Sequence, residues 1–114
     1  MRAALVAFLA VVATPALAAD FPEFSEERLK RGREVWMATC KDCHANPDSD
    51  APQAKDAAAW KPRLAKGRPA LYVSALRGFK GPSGAEMPPR GGNKTLSDAE
   101  VRAAVDYMTR IANP

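Results

Sequence analysis

The chain has 114 residues, one histidine, two cysteines and a formal net charge of +4. That length suits one domain, and the lysines and arginines form no dense block, which argues against nucleic acid as a partner. Aromatic residues make up only 7% of the sequence, few for a short chain that must close its own core, so a buried apolar cofactor would supply the missing surface.

Residues 1–19 read as a cleaved secretory signal peptide. Arg2 gives a basic start, Ala3 to Ala13 an apolar run, Thr14-Pro15 a break, and Ala16-Leu17-Ala18-Ala19 small residues for cleavage. The rival reading is an uncleaved membrane anchor. The run from Ala3 to Ala19 holds a proline and falls short of the roughly 20 apolar residues that a spanning helix needs. The expected product is an exported, periplasmic domain over 20–114.

Phe21 to Phe24 lead into a helix expected over 25–38, with Ser25 as its N-cap and Glu26 and Glu27 suited to its positive end. Leu29, Gly32, Val35 and Trp36 fall on one stripe. Glycine inside a helix costs roughly 1 kcal/mol relative to alanine, so Gly32 marks a close approach by another element.

Cys40-Lys41-Asp42-Cys43-His44 follows, the spacing of a c-type haem attachment site. On a helical turn, positions i, i+3 and i+4 share a face. Both thiols can therefore add to the vinyl groups of one haem as thioethers, with His44 as proximal iron ligand. A redox dithiol is one alternative, usually found at the start of a helix in a βαβ domain, but no strand-like runs support such a sheet. Half of a zinc site is another, and carboxylates would have to complete it. One covalent haem c with its iron is the expected cofactor. It uses both cysteines, leaving none for a disulfide.

The stretch 45–55 reads as a loop over the cofactor edge, and Asp56 caps a short helical piece over 57–60. Pro69 opens a helix over 69–77 that Gly78 closes, with Leu71, Ala75 and Leu76 on its apolar face. Residues 79–94, rich in glycine and proline, read as loop. The last helix carries a capping box, Ser97 to Glu100, and a hydrophobic staple, Leu96 to Val101. Val101, Ala104, Val105 and Met108 form its stripe, flanked by Tyr107. This helix should cross the first near Gly32, with Trp36 and Tyr107 packed at the crossing. No strands are expected. The fold class is all-α, with three main helices plus loops around one covalently bound haem.

The iron has a second axial position and the chain no second histidine. A lysine amine could serve, but methionine suits a pocket that excludes water. Met37 lies just before the haem motif on its proximal side, and Met108 reads as core filling. Met87 sits in Gly84-Ala85-Glu86-Met87-Pro88-Pro89, an otherwise polar loop that two prolines stiffen. Met87 is the expected distal ligand.

With Gly32 and Trp36 ahead of the haem motif, Met87-Pro88 late in the chain and an aromatic last helix, the sequence resembles a class I c-type cytochrome. It is most similar to the short bacterial cytochrome c-five group. The stretches that match run from Trp60 to Gly67, from Met87 to Gly92 and from Leu96 to Met108. Two departures stand out. Members of that group often carry an extra cysteine pair near the methionine loop, whereas no cysteine follows Gly92-Asn93 here, and the loop before Trp60 is more acidic and poorer in glycine. The resemblance implies that the backbone carbonyl of Pro52 accepts the Nδ1 proton of His44. It also implies that Trp60 and Arg63 contact a haem propionate.

The expected function is electron carriage: one-electron transfer by a low-spin His/Met-ligated haem to and from protein redox partners, with no catalytic residues. The partner would be an oxidase, reductase or dehydrogenase with an acidic docking face, and the carrier itself a monomer. Lys41, Lys55, Lys61, Arg77, Lys80, Arg90 and Lys94 are the candidate docking cations. The rival functions are a small-ligand sensor or weak peroxidase with a labile Met87, a thiol–disulfide protein, and a subunit of a larger redox complex.

Overall fold

The computed structural model describes residues 7, 9, 10 and 21–113, so the expected signal peptide lies, those three positions apart, outside the described residues. No helix among the described residues is long and apolar enough to cross a membrane.

The chain enters through Phe21 and Phe24, whose rings pack on Trp36 (centroids 4.9 Å apart) and Tyr107 (5.9 Å). Helix α1, Glu27–Val35, follows. Its N-cap is Glu26, which makes no side-chain cap bond, rather than the expected Ser25. The packed lead-in fixes where the chain turns, and the helix starts one position later than its best capping residue. At its far end α1 runs on as a π-helical segment, Trp36–Cys40, and a further α-helical turn, α2, Lys41–His44. The expected stop near Ala38 therefore does not occur. One extra residue in a turn rotates everything after it by roughly 100° relative to an unbroken α-helix. The wide turn thus separates the face that α1 packs from the face that presents Cys40, Cys43 and His44.

Helix α3, Ala57–Leu64, is capped by Asp56, which accepts a hydrogen bond from the Ala59 amide at 3.1 Å. It continues through Pro62, four residues beyond the expected end at Trp60. Helix α4, Arg68–Arg77, starts with Pro69 in its first turn and lies between Gly67 and Gly78, both at positive φ (89° and 84°). The next stretch corrects the expectation of an all-loop segment. Strands β1, Phe79–Lys80, and β2, Glu86–Met87, pair antiparallel, with Phe79 opposite Met87. The turn between them is closed by the Gly81 amide on the Ala85 carbonyl (2.8 Å), with Gly84 at φ 87°. After a short 3-10 turn, Pro89–Gly92, helix α5 spans Asp98–Ala112. Its capping box is complete: Ser97 Oγ accepts from the Glu100 amide at 3.1 Å and Glu100 accepts from the Ser97 amide at 3.2 Å.

Helices α1 and α5 cross at Gly32. A Cβ there would stand 2.1 Å from the Ala103 carbonyl oxygen and 3.1 Å from Tyr107 Cβ, so only hydrogen fits. Trp36 and Tyr107, both 0% exposed, pack beside the crossing with ring centroids 5.7 Å apart. Tyr107 also donates to the Pro22 carbonyl (3.0 Å), fastening the lead-in. A second apolar cluster joins Ala75, Val101 and Val105 to Leu71, Leu76 and Met87. Buried Asp106 ties three helices together: it pairs with Arg28 of α1 and with Arg68 of α4, and Tyr72 of α4 donates to it. The α1–α5 crossing and the Met87 strand are held on a common frame.

Candidate functional site

A cleft of about 380 Å³ opens beside α2. Cys40, Cys43 and His44 line it from the end of the first rod, Trp60 and Arg63 from α3, and Met87 and Pro88 from β2 and the residue after it. A larger hollow, about 820 Å³, surrounds Arg28, Arg68 and Asp106, but none of the haem-motif residues reaches it. The chemistry expected from the sequence gathers in the smaller cleft.

His44 is buried, and its Nδ1 lies 2.8 Å from the Pro52 carbonyl oxygen. Nδ1–H donates to that carbonyl, so Nε2 is the nitrogen left to bind a metal. Burial holds the imidazole below its ordinary pKa, which keeps the ring neutral, the form a metal requires. Its carbonyl in turn accepts the Ala54 amide at 2.8 Å, and the Trp60 ring stands 6.0 Å from the imidazole.

Cys40 and Cys43 are not joined in a disulfide. Before haem attachment, burial pushes the Cys40 thiol up to about 11, away from the lowered pKa and ready thiolate through which a redox dithiol works. Among the described residues, no group of three or more His, Cys, Asp or Glu side chains is arranged to hold a metal ion, which leaves the zinc reading without its ligand set. Two thiols and an oriented imidazole share a largely apolar cleft with a thioether. That donor set fits a covalently attached haem c.

Met87 is half-buried in β2 and packs against the cluster of Ala75, Val101 and Val105. Met37 packs on the Trp36 core and does not line the cleft. Met108 is a buried core residue that also touches the cleft wall. Behind Met87 the backbone turns sharply. Arg90 takes φ 56°, unusual for a side chain with a Cβ, and is anchored by bonds to the Leu96 carbonyl (3.1 Å) and Asp98 (2.5 Å).

Trp60 and Arg63 both reach the cleft that holds His44 and Met87. Trp60 lines the cleft and gives its one donor, Nε1, to the Gln53 carbonyl at 2.8 Å. Arg63 lines the cleft, stacks over Trp60 (6.0 Å to the ring centroid) and donates to the Ala59 carbonyl at 2.6 Å. None of the seven expected docking cations lines the cleft. Arg90 pairs with half-exposed Asp98, Lys80 lies 3.6 Å from Glu86, and Lys55 stands over the Phe21 ring. Arg63 and Lys66 do line the cleft, with the Lys66 ammonium 5.3 Å from the ring centroid of exposed Phe79. Sequence reasoning missed Lys66, Phe79 and Gln53. An aromatic standing alone in a polar, glycine-rich stretch was the available signal for Phe79.

Comparison with known proteins matches residues 27–108 to the family described as cytochrome c oxidase, cbb3-type, subunit III. Cytochrome c-555 of Chlorobaculum tepidum is 43% identical over 77 residues, covering 68% of this chain and 70% of that one. Cytochrome c5 of Azotobacter vinelandii is 35% identical over 84 residues, 72% of this chain and 95% of the other. Among solved structures, a chain in the crystal structure of an electron transfer complex of nitrite reductase with cytochrome c superposes with a TM-score of 0.62 at 40% identity. That match covers 73% of this chain and 95% of that one.

Proposed function

The chain belongs to the small class I c-type cytochromes and carries covalently attached haem c, and we propose that it serves as a periplasmic, single-haem electron carrier with His/Met-ligated iron. Cys40 and Cys43 hold the haem through thioether links, His44 Nε2 is the proximal ligand and Met87 the distal one. The observation that carries this reading is the meeting in one cleft of Met87 with an imidazole whose other nitrogen is already committed to Pro52. When bound, the haem iron takes up and releases one electron. On this reading the chain itself fills both axial positions and leaves none for substrate, which fits a carrier rather than an enzyme.

Docking falls to the rim of the cleft. Phe79 is 44% exposed there, the Lys66 ammonium stands over its ring, and Arg63 lines the same cleft. An apolar spot with two cations on the same rim suits a redox partner with an acidic face, an oxidase, reductase or dehydrogenase, and association should slow as salt rises. The solved neighbour in an electron transfer complex with nitrite reductase supports a partner of this kind.

The test is the absorption spectrum of the holoprotein, oxidised and reduced, with carbon monoxide added to the reduced form at neutral pH. A low-spin spectrum with a sulfur-to-iron band and no response to carbon monoxide is expected. A high-spin spectrum that shifts with carbon monoxide would remove Met87 from the iron and turn the reading toward a ligand sensor or weak peroxidase.

A further inference from the structure

The loop after the haem motif is tied at one side chain. The Gln53 amide nitrogen lies 3.0 Å from the Cys43 carbonyl, 2.8 Å from that of Asn46, 3.1 Å from that of Ala51 and 3.4 Å from Ser49 Oγ. Three of these four neighbours are carbonyl oxygens, which only accept, so the nitrogen and not the oxygen of the amide must face them. Its two hydrogens are shared among more acceptors than they can satisfy singly, and the loop closes round them. Ser49 Oγ strengthens the closure by donating to the Cys43 carbonyl at 2.6 Å. The Gln53 backbone is held as well, because its carbonyl accepts from Trp60 Nε1 at 2.8 Å and from the Asp56 amide at 3.0 Å.

Gln53 thus grips Cys43 and Ala51, the residues just before His44 and just before Pro52. The carbonyl that receives His44 Nδ1–H belongs to Pro52, between Ala51 and Gln53. We infer that Gln53 is a positioning residue that sets the strength of the His44–Pro52 hydrogen bond, and through it the reduction potential of the haem. The inference rests on His44 being the iron's proximal ligand, as proposed above. A firm bond at Nδ1 makes the imidazole a stronger electron donor and favours the oxidised iron. With Gln53 released, the Pro52 carbonyl is free to drift, the imidazole donates less and the potential rises.

The experiment is redox titration of the Gln53→Met holoprotein against wild type. Methionine keeps the length and volume of the side chain, adds no charge and removes both donors. The expected result is a higher midpoint potential with the low-spin spectrum retained. An unchanged or lower potential would overturn the inference, even if the variant melts earlier, because a purely structural role lowers stability without moving the potential. Should the variant fail to fold or load haem, exchange on the wild-type holoprotein decides. Gln53 side-chain amide protons and the His44 Nδ1 proton that persist in heavy water support the tie, and exchange at the rate of a free amide defeats it. The wild-type spectrum reads the carrier proposal separately. A high-spin wild type would remove Met87 from the iron while leaving the Gln53 effect measurable through His44.

Discussion

On the His44 wall of the cleft, the chain is held by hydrogen bonds. Pro52 takes the imidazole proton, Gln53 gathers the carbonyls of Cys43, Asn46 and Ala51, and Trp60 fastens the Gln53 carbonyl from α3. The Met87 wall has few such ties. Met87 sits in a two-residue strand, packs on Ala75, Val101 and Val105, and owes its place to backbone turns at Gly78, Gly84 and Arg90. Directional bonds resist displacement of one ligand without reference to the rest of the molecule, whereas packing and turn geometry hold the other only while the frame behind it stays in place. With Met87 as the proposed distal ligand, its side of the cleft is where a small outside ligand would first gain entry.

Both walls depend on the α1–α5 crossing, so the largest effect comes from breaking it. Gly32→Ala should gain about 1 kcal/mol of helix propensity and lose about 3 kcal/mol to the clash with the Ala103 carbonyl. The melting temperature of the holoprotein should fall by roughly 10 °C, with Gly32→Val worse still. A melting temperature equal to wild type would show that the helices can part without cost, contrary to the packing described.

The next variant breaks one wall only. Met87→Ala should leave His44 bound, open the distal position, turn the oxidised spectrum high-spin and lower the potential, because the thioether favours reduced iron. Loss of the side chain from its cluster should also cost about 2 kcal/mol. An unchanged oxidised spectrum would assign the distal ligand elsewhere, with Met108 the next candidate on the cleft wall.

A subtler change tests whether turn geometry alone holds Met87. Gly78 has φ 84°, and a Cβ there would come within 2.9 Å of the Met87 carbonyl oxygen and 3.1 Å of Pro89 Cδ. Gly78→Ala should cost about 2 kcal/mol and push the strand. Reduced protein should then begin to bind carbon monoxide, while the His44 Nδ1 proton stays as protected from exchange as in wild type. Equal disturbance of both walls would mean that they are not independently held.

How far the sequence foretold this arrangement follows the same division. The α1–α5 crossing was legible because it rests on periodicity, on a glycine where a helix would not choose one, and on a capping box. Pro52, by contrast, was reached through resemblance, and the structure places its carbonyl on His44 Nδ1. Gln53 was not legible, since a side chain that ties carbonyls within its own loop leaves no repeat to read. The strand pair escaped for a related reason: two residues on each side are too few to alternate, and their pairing comes from the Gly81–Ala85 closure. The seven expected docking cations were chosen by segment, and the sequence does not show which neighbour a lysine or arginine will meet: Lys80 meets Glu86 and Lys55 the Phe21 ring. Arg90 meets Asp98.

The smallest effect lies in the capping box of α5, whose Ser97 and Glu100 do not line the cleft. Glu100 is held below its ordinary value of 4.5 mainly by the hydrogen bond from the Ser97 amide, with Arg31 adding to it. Since the folded chain binds that proton less readily than the unfolded one, the contribution is complete above about pH 4.5 and is lost as pH falls through the lower folded value. Ser97→Ala should remove about 1 kcal/mol at neutral pH by uncapping the helix, a drop of several degrees in melting temperature. Glu100→Gln should instead flatten the acid limb of the stability curve and leave the haem spectrum and potential where they were. If either change moved the potential, α5 would be coupled to the ligands through more than the Val101–Val105 contact with Met87, and the two walls would have to be treated as one.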